Sequence, residues 1–357
     1  MNLRVPGPTP LPDDVLEAMA RPMINHRGPE FASLMSAVEV RLKEFFQTEG
    51  NVLLFTASGT GGLEAAVVNT LSPSDRVLAV SIGYFGERFA AIAEAFGADL
   101  TRLNFPWGLA ADPARIEAEL KAAQRTKRPY KLFLITHNET STGVTNDLKA
   151  ITEMLHSFQE MPLIIVDAIS SLGAIDLPAE RWGCDIVITG SQKAWMAPPG
   201  LAMVSVSKRA WKVAEQARAP RFYWDFFQMK EYADRHMTPF TPAVSVLYAL
   251  RRSLEMMAEE GLENIFARHK RIGKLMREGV KELGLELLAD EAHASDTLTA
   301  VRMGRADEVR KRLHEEHGIV VAGGQGPLKG KIIRIGHMGY VSEGDIEAVL
   351  EGLRKVL

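Results

Sequence analysis

The chain has a single cysteine, Cys184, among its 357 residues. One cysteine excludes an intramolecular disulfide and a Cys-rich zinc site, and it suits a reducing compartment. No apolar run approaches the roughly 20 residues needed to span a bilayer. The opening stretch MNLRVPGPTPLPDDVLEAM has no basic segment followed by an apolar one, so a cytoplasmic protein is expected. Charge of one sign is also scarce. The 42 Lys and Arg stand against 45 Asp and Glu, a net charge of -3, which leaves no broad basic field for binding nucleic acid. Repeats at solenoid spacing and low-complexity tracts are missing as well. What the chain does have is 46% hydrophobic residues, enough for a sizeable core and more than one domain.

Through the middle of the chain, apolar runs of strand length alternate with amphipathic stretches. The runs are VLAVSI (77–82), KLFLIT (131–136), LIIVD (163–167), DIVIT (185–189) and LAMVSV (201–206). This alternation predicts an α/β domain with a largely parallel, buried sheet. Cys184, just before DIVIT, reads as a small buried residue. Several runs end in polar residues: Thr136 and His137, Asp167, then Ser191, Gln192 and Lys193. Ligands gather beyond the carboxyl ends of strands in open α/β sheets, so these ends are expected to converge on one site. A long helical pattern starting in TPAVSVLYALRRSL (241–254) forms a bridge to a smaller α+β part that ends in KIIRIG and a last helix. The expected division is an extended N-terminal segment (1–15), a large domain (16–245) and a small C-terminal domain (246–357).

GSQKAWMAPPG (190–200) sets Lys193 beyond a strand and ahead of helix-breaking prolines. A lysine in such surroundings, lowered in pKa, can form a Schiff base with a carbonyl cofactor, most often pyridoxal phosphate. That cofactor needs a carboxylate opposite its ring nitrogen. Asp167 ends a different apolar run and could serve, although a helix cap or turn is the plainer alternative. The phosphate needs a cradle too. TASGTGGLEAAVVNTL (56–71) places small and hydroxyl residues before an amphipathic helix, where free N–H groups and the helix dipole favour an anion. It is no dinucleotide fingerprint, since Glu64 stands where a third Gly or Ala is wanted, and it lacks the GK[ST] of a P-loop. No metal is called for.

SGTGGLEAA, THNETSTGV (136–144), VDAISSLGAIDL (166–177), GSQKAWMAPPG and IRIGHMG (333–339) occur in the order seen in class V, fold-type I pyridoxal-phosphate aminotransferases. From PGPTPLP to its final helix the chain resembles their alanine–glyoxylate and serine–pyruvate (serine–glyoxylate) branch. The resemblance implies a large domain with a mostly parallel seven-stranded sheet, a smaller α+β C-terminal domain, and a homodimer with shared active sites. It implies that Lys193 bonds to the cofactor aldehyde and shuttles the proton, and that Asp167 partners the pyridine nitrogen. Ser58, Gly59 and Thr60 match the phosphate-binding turn, and Gln192 matches another phosphate contact. Phe85 in GYFGER falls where the branch often has a stacking tryptophan, a role that the face of phenylalanine can fill. Thr140 matches a hydroxyl position near the ring, and Ile169 matches one that packs beneath it.

Arg334 in KIIRIG matches the arginine that grips the substrate α-carboxylate, a task suited to the guanidinium fork. Strand alternation independently turns it away from Ile333 and Ile335; an exposed strand arginine is the plain alternative. TPFTP (238–242) resembles the segment that reaches across a dimer to the neighbouring cofactor phosphate, through Thr241 or Thr238. His26 and Arg27 in NHRGPEF either border the substrate entrance or form a structural turn. The implied activity moves the amino group of serine or alanine to glyoxylate or pyruvate by a ping-pong mechanism. Alternatives are a phosphonate, aspartate or phosphoserine transaminase, a lyase, or a pyridoxal-phosphate-binding partner of a redox complex without turnover. A desulfurase needs a mobile nucleophilic cysteine, which Cys184 does not supply.

Overall fold

The computed structural model describes residues 1–357. Its larger sheet has seven strands in the order Asn51–Ala57, Gly200–Val206, Ile186–Gly190, Leu163–Asp167, Leu132–Thr136, Arg76–Ser81 and Asp99–Asn104. Gly200–Val206 runs antiparallel to both its neighbours, and every other pairing is parallel. The five expected runs all form strands here. The edge strands Asn51–Ala57 and Asp99–Asn104 were not expected. Asp99–Asn104, DLTRLN, has no apolar run because it lies half exposed at the sheet edge.

Alternate residues of the central strands serve opposite faces, as the pleat requires. Phe133, Ile135, Ile164 and Val166 enter one hydrophobic core, while Leu132, Leu134, Leu163 and Ile165 enter another on the far side. Burial on both faces explains why these strands are continuous apolar runs. It also forces polar residues to the strand ends. In the register of the parallel strands, Thr136 stands beside Asp167.

A second, four-stranded sheet has the order Asn2–Arg4, Ile319–Gly323, Ile332–Gly336 and Leu298–Arg302. Its first strand comes from the N-terminal segment and pairs parallel with Ile319–Gly323. The residues between, Pro6 to Thr9, run past the lysine loop, where the Thr9 N–H donates to the Gln192 carbonyl (3.1 Å) and the Thr9 hydroxyl to the Lys193 carbonyl (3.0 Å). The helix Val244–Glu260, at the expected boundary near 245, buries Leu247, Leu250 and Leu254 in the core of the large sheet. The next helix, Leu262–Glu282, carries Ile265 in that core and Ile272, Met276 and Val280 in the core of the second sheet. The passage between the two cores therefore falls inside this helix.

Candidate active site

The loop after Ile186–Gly190 is tightly anchored. The Ser191 hydroxyl donates to the Pro198 carbonyl (2.5 Å) and accepts from the Leu201 N–H (3.2 Å), closing the loop on itself. Trp195, fully buried, donates from Nε1 to the Thr189 hydroxyl (2.9 Å) and stacks on Phe46. Between these anchors Lys193 extends into a cleft of about 250 Å³. Nine of the expected residues line that cleft: Ser58, Gly59, Thr60, Phe85 and Thr140 on one part, then Asp167, Ile169, Gln192 and Lys193.

The Lys193 ammonium donates to the Pro6 carbonyl. Burial pushes its pKa down to about 8, against the raising pull of Asp167. Asp167, also buried, accepts from the Ile169 N–H through Oδ1 (3.0 Å), and its Oδ2 has no donor in the chain. Burial pushes this carboxyl up to about 7, opposed by the Ile169 N–H and the charge of Lys193. A carboxylate so held gains from a cationic partner in the cleft. Behind it, the backbone N–H of buried His137 donates to the Asp167 carbonyl (2.8 Å).

The helix Gly59–Thr70 starts at the cleft. Its N-cap, Ser58, is exposed and makes no side-chain cap bond, and the Gly61 N–H turns back to the Ser58 carbonyl (2.9 Å), so the N–H groups of Gly59 and Thr60 are left available to an anion. A Cβ on Gly59 would lie 2.6 Å from Ile169 Cδ1, so glycine lets this turn and Ile169 close on one space. Gln192 contributes a buried Oε1 with no partner. An uncapped helix start, an unpaired carboxylate oxygen, an orphaned amide and a buried amine are groups that fit pyridoxal phosphate; Ser58, Gly59, Thr60 and Gln192 would suit its phosphate and Asp167 its ring nitrogen.

Arg334 lies beside the cleft and is buried, which removes the exposed-arginine alternative. Its Nε donates to the Gly323 carbonyl (2.8 Å) and its Nη1 to the carbonyl of cleft-lining Thr140 (3.1 Å). Nη2 has no partner in the chain, and no carboxylate pairs with the guanidinium. Burial pulls its pKa down to about 10, partly offset by the charge of Glu139. A buried guanidinium with donors to spare and no carboxylate in direct contact suits a ligand carboxylate.

Thr241 does not join this cleft within its own chain. It is exposed and borders a small separate cavity with Tyr223 and Phe240, whose rings stack at 4.9 Å. The Thr238 hydroxyl is already used, donating to the Phe240 carbonyl (2.8 Å). Arg27 holds the same segment, donating to the carbonyls of Thr238 and Pro239. Within the chain, then, Arg27 anchors the Thr238–Pro239 segment to NHRGPEF.

Arg88 was missed by the sequence reading. It lines the cleft, donates from Nη1 to the Thr60 hydroxyl (3.3 Å) and lies over the Phe85 ring at 4.9 Å, with no acidic partner. The signal was present, because Arg88 follows Phe85 by three residues on the helix Tyr84–Ala95, a spacing that puts both on one face. Replacing Arg88 by alanine is expected to weaken binding of pyridoxal phosphate roughly tenfold, the size of one charge-assisted hydrogen bond. Titrating the cofactor-free variant with pyridoxal phosphate checks this; a change under about twofold assigns Arg88 to packing on Phe85.

A family model for class-V aminotransferases matches residues 2–349. The chain is 43% identical to the soluble hydrogenase small subunit of Synechococcus sp. (strain PCC 6716), over 99% of this chain and 92% of that protein. It is 36% identical to the serine–glyoxylate aminotransferase of Methylorubrum extorquens, over 98% of this chain and 89% of that one. Among solved structures, the alanine–glyoxylate aminotransferase of Nostoc sp. superposes with a TM-score of 0.93 at 31% identity, covering 99% of this chain and 94% of that chain.

Proposed function

The chain belongs to the class-V aminotransferases, and from that premise we propose that it moves the amino group of a small L-amino acid, serine or alanine, to glyoxylate or pyruvate. It is a pyridoxal-phosphate enzyme of the α/β fold that this family shares. The observation that carries the substrate reading is the arrangement of one cleft: Lys193 and Asp167 among its lining, and Arg334 beside it with no carboxylate in direct contact.

When bound, pyridoxal phosphate supplies the aldehyde and the electron-withdrawing ring that the transfer needs. The chain supplies the rest. Arg334 holds the substrate α-carboxylate through its free guanidinium donors. Lys193, its amine made easier to deprotonate by burial, takes the proton from the substrate α-carbon through Nζ and returns one later in the cycle. Asp167 would hold a proton at the ring nitrogen, and the start of the helix Gly59–Thr70, with Gln192, would hold the phosphate. Phe85, Ile169 and Thr140, which line the same cleft, would contact the ring. Donor product leaves before the acceptor enters, so the kinetics are ping-pong.

A homodimer with shared sites and a cytoplasmic setting belong to the same reading. Thr241, exposed and outside its own chain's cleft, supports a role toward a neighbouring copy. The similarity to a soluble hydrogenase subunit favours a second reading, a cofactor-binding partner without turnover. Lys193, Asp167 and Arg334 in working arrangement support the transaminase instead.

The test is the visible absorption of the purified holoenzyme titrated with L-serine, L-alanine, L-aspartate and phosphoserine. Bleaching of the yellow band by serine or alanine, reversed by glyoxylate or pyruvate, is expected. Bleaching by aspartate or phosphoserine alone reassigns the donor, and a band that no donor bleaches favours the partner reading.

A further inference from the structure

We propose that Glu139 is a positioning residue for the reaction: a buried, ionised carboxylate that caps the helix Tyr84–Ala95 from outside and so sets Phe85 against the cofactor ring. This deepens the reading above and rests on it for the role of Phe85.

The helix needs such a device. Its N-cap is Gly83, which has no side chain to satisfy the first-turn N–H groups. Glu139, fully buried, takes that place from the Asn138–Glu139 strand. Its carboxylate accepts from the N–H of Phe85 (3.1 Å) and of Gly86 (3.0 Å). It also accepts from the N–H (3.0 Å) and the hydroxyl (2.7 Å) of Ser141. The Ser141 oxygen in turn accepts from the Tyr84 N–H (2.9 Å). The first three N–H groups of the helix are thus all bound by Glu139 and Ser141. A Cβ on Gly83 would lie 2.5 Å from both Glu139 Cγ and Ser141 Oγ, so the close approach depends on glycine at that position.

All four groups that meet Glu139 can donate to it, three of them N–H groups that can only donate, and this set suits the ionised form best. The helix dipole stabilises that charge. Burial raises the pKa of the carboxyl, and the same four hydrogen bonds oppose it. The adjacent residue, Thr140, gives its carbonyl to Arg334. Residues 139 to 141 therefore tie the Phe85 helix to the arginine side of the cleft. No alternative charge partner is needed for Glu139, because backbone and hydroxyl donors satisfy it.

The variant Glu139→Gln keeps the shape but sets an NH2 group against N–H donors. In the holoenzyme it is expected to raise the Kd for pyridoxal phosphate about tenfold and to diminish the visible circular dichroism of the bound cofactor. The deciding measurement is a double-mutant cycle with Phe85→Leu. If Glu139 acts through Phe85, Glu139→Gln costs less than about threefold in the Phe85→Leu background. Equal losses in both backgrounds overturn the proposal. Should Glu139→Gln not fold, Ser141→Ala enters the same cycle, removing one donor to Glu139 and the Tyr84 anchor, with an expected loss of about threefold that must likewise shrink beside Phe85→Leu. These readouts concern cofactor binding alone. They stand or fall apart from the donor titration, which tests the substrate reading.

Discussion

Replacing Lys193 by alanine leaves a folded protein whose kcat for transamination falls by about 10⁴-fold or more, since one side chain is both the covalent anchor and the general base. The structural grounds are specific. The amine sits in a cleft with Asp167, and burial pulls its pKa down to about 8, so that its free-base share at neutral pH far exceeds that of an exposed lysine. No other amine or imidazole lines the cleft to take over its work. Borohydride reduction of the wild-type holoenzyme should fix the cofactor to the peptide containing Lys193, and the variant should give no labelled peptide. The thermal midpoint reports the fold separately. Turnover within tenfold of wild type would falsify the assignment of Lys193.

Arg334→Leu should lower kcat/KM for the amino donor by about 10²- to 10³-fold while leaving cofactor affinity within a few-fold of wild type. That size corresponds to two charge-assisted hydrogen bonds to a desolvated carboxylate. Arg334 is buried, uses only two of its five donors within the chain and meets no acidic side chain. Arg334→Lys should recover little, because a point charge does not reproduce the fork. The informative comparison is L-alanine against ethylamine, which lacks the carboxylate. The wild-type enzyme should strongly prefer alanine in the half-reaction, and Arg334→Leu should lose most of that preference. A variant that keeps it shows that another group reads the carboxylate.

Much of the fold was legible because burial on both faces writes itself as apolar runs. LIIVD became the strand Leu163–Asp167 to the residue. DLTRLN did not read as a strand because its edge position leaves alternate residues in solvent. The site was legible where its residues lie in short segments. The lysine loop and the turn at Ser58 to Thr60 each carry several neighbours of the cleft, so a quoted stretch of ten residues holds a usable pattern. Arg88 and Glu139 escaped for a different reason. Arg88 is an ordinary helix arginine until Thr60 and Phe85 are set beside it. Glu139 is an ordinary polar residue until a helix start more than fifty positions earlier in the chain lies on its carboxylate.

By itself the sequence determined the layered α/β architecture, the polar strand ends that meet at one site, and Lys193, Asp167 and the turn at Ser58 to Thr60 as groups suited to pyridoxal phosphate. These follow from local order: residue periodicity, and the chemistry of side chains at strand ends and helix starts; Phe85, Thr140, Ile169 and Gln192 were readable only through the family resemblance. Only the tertiary structure decided that Arg334 is buried with no carboxylate in direct contact, that Arg27 serves the Thr238–Pro239 segment, and that Thr241 stays outside its own chain's cleft. Such facts depend on desolvation and on partners distant in the chain, and a side chain acquires them only when the fold brings those partners together.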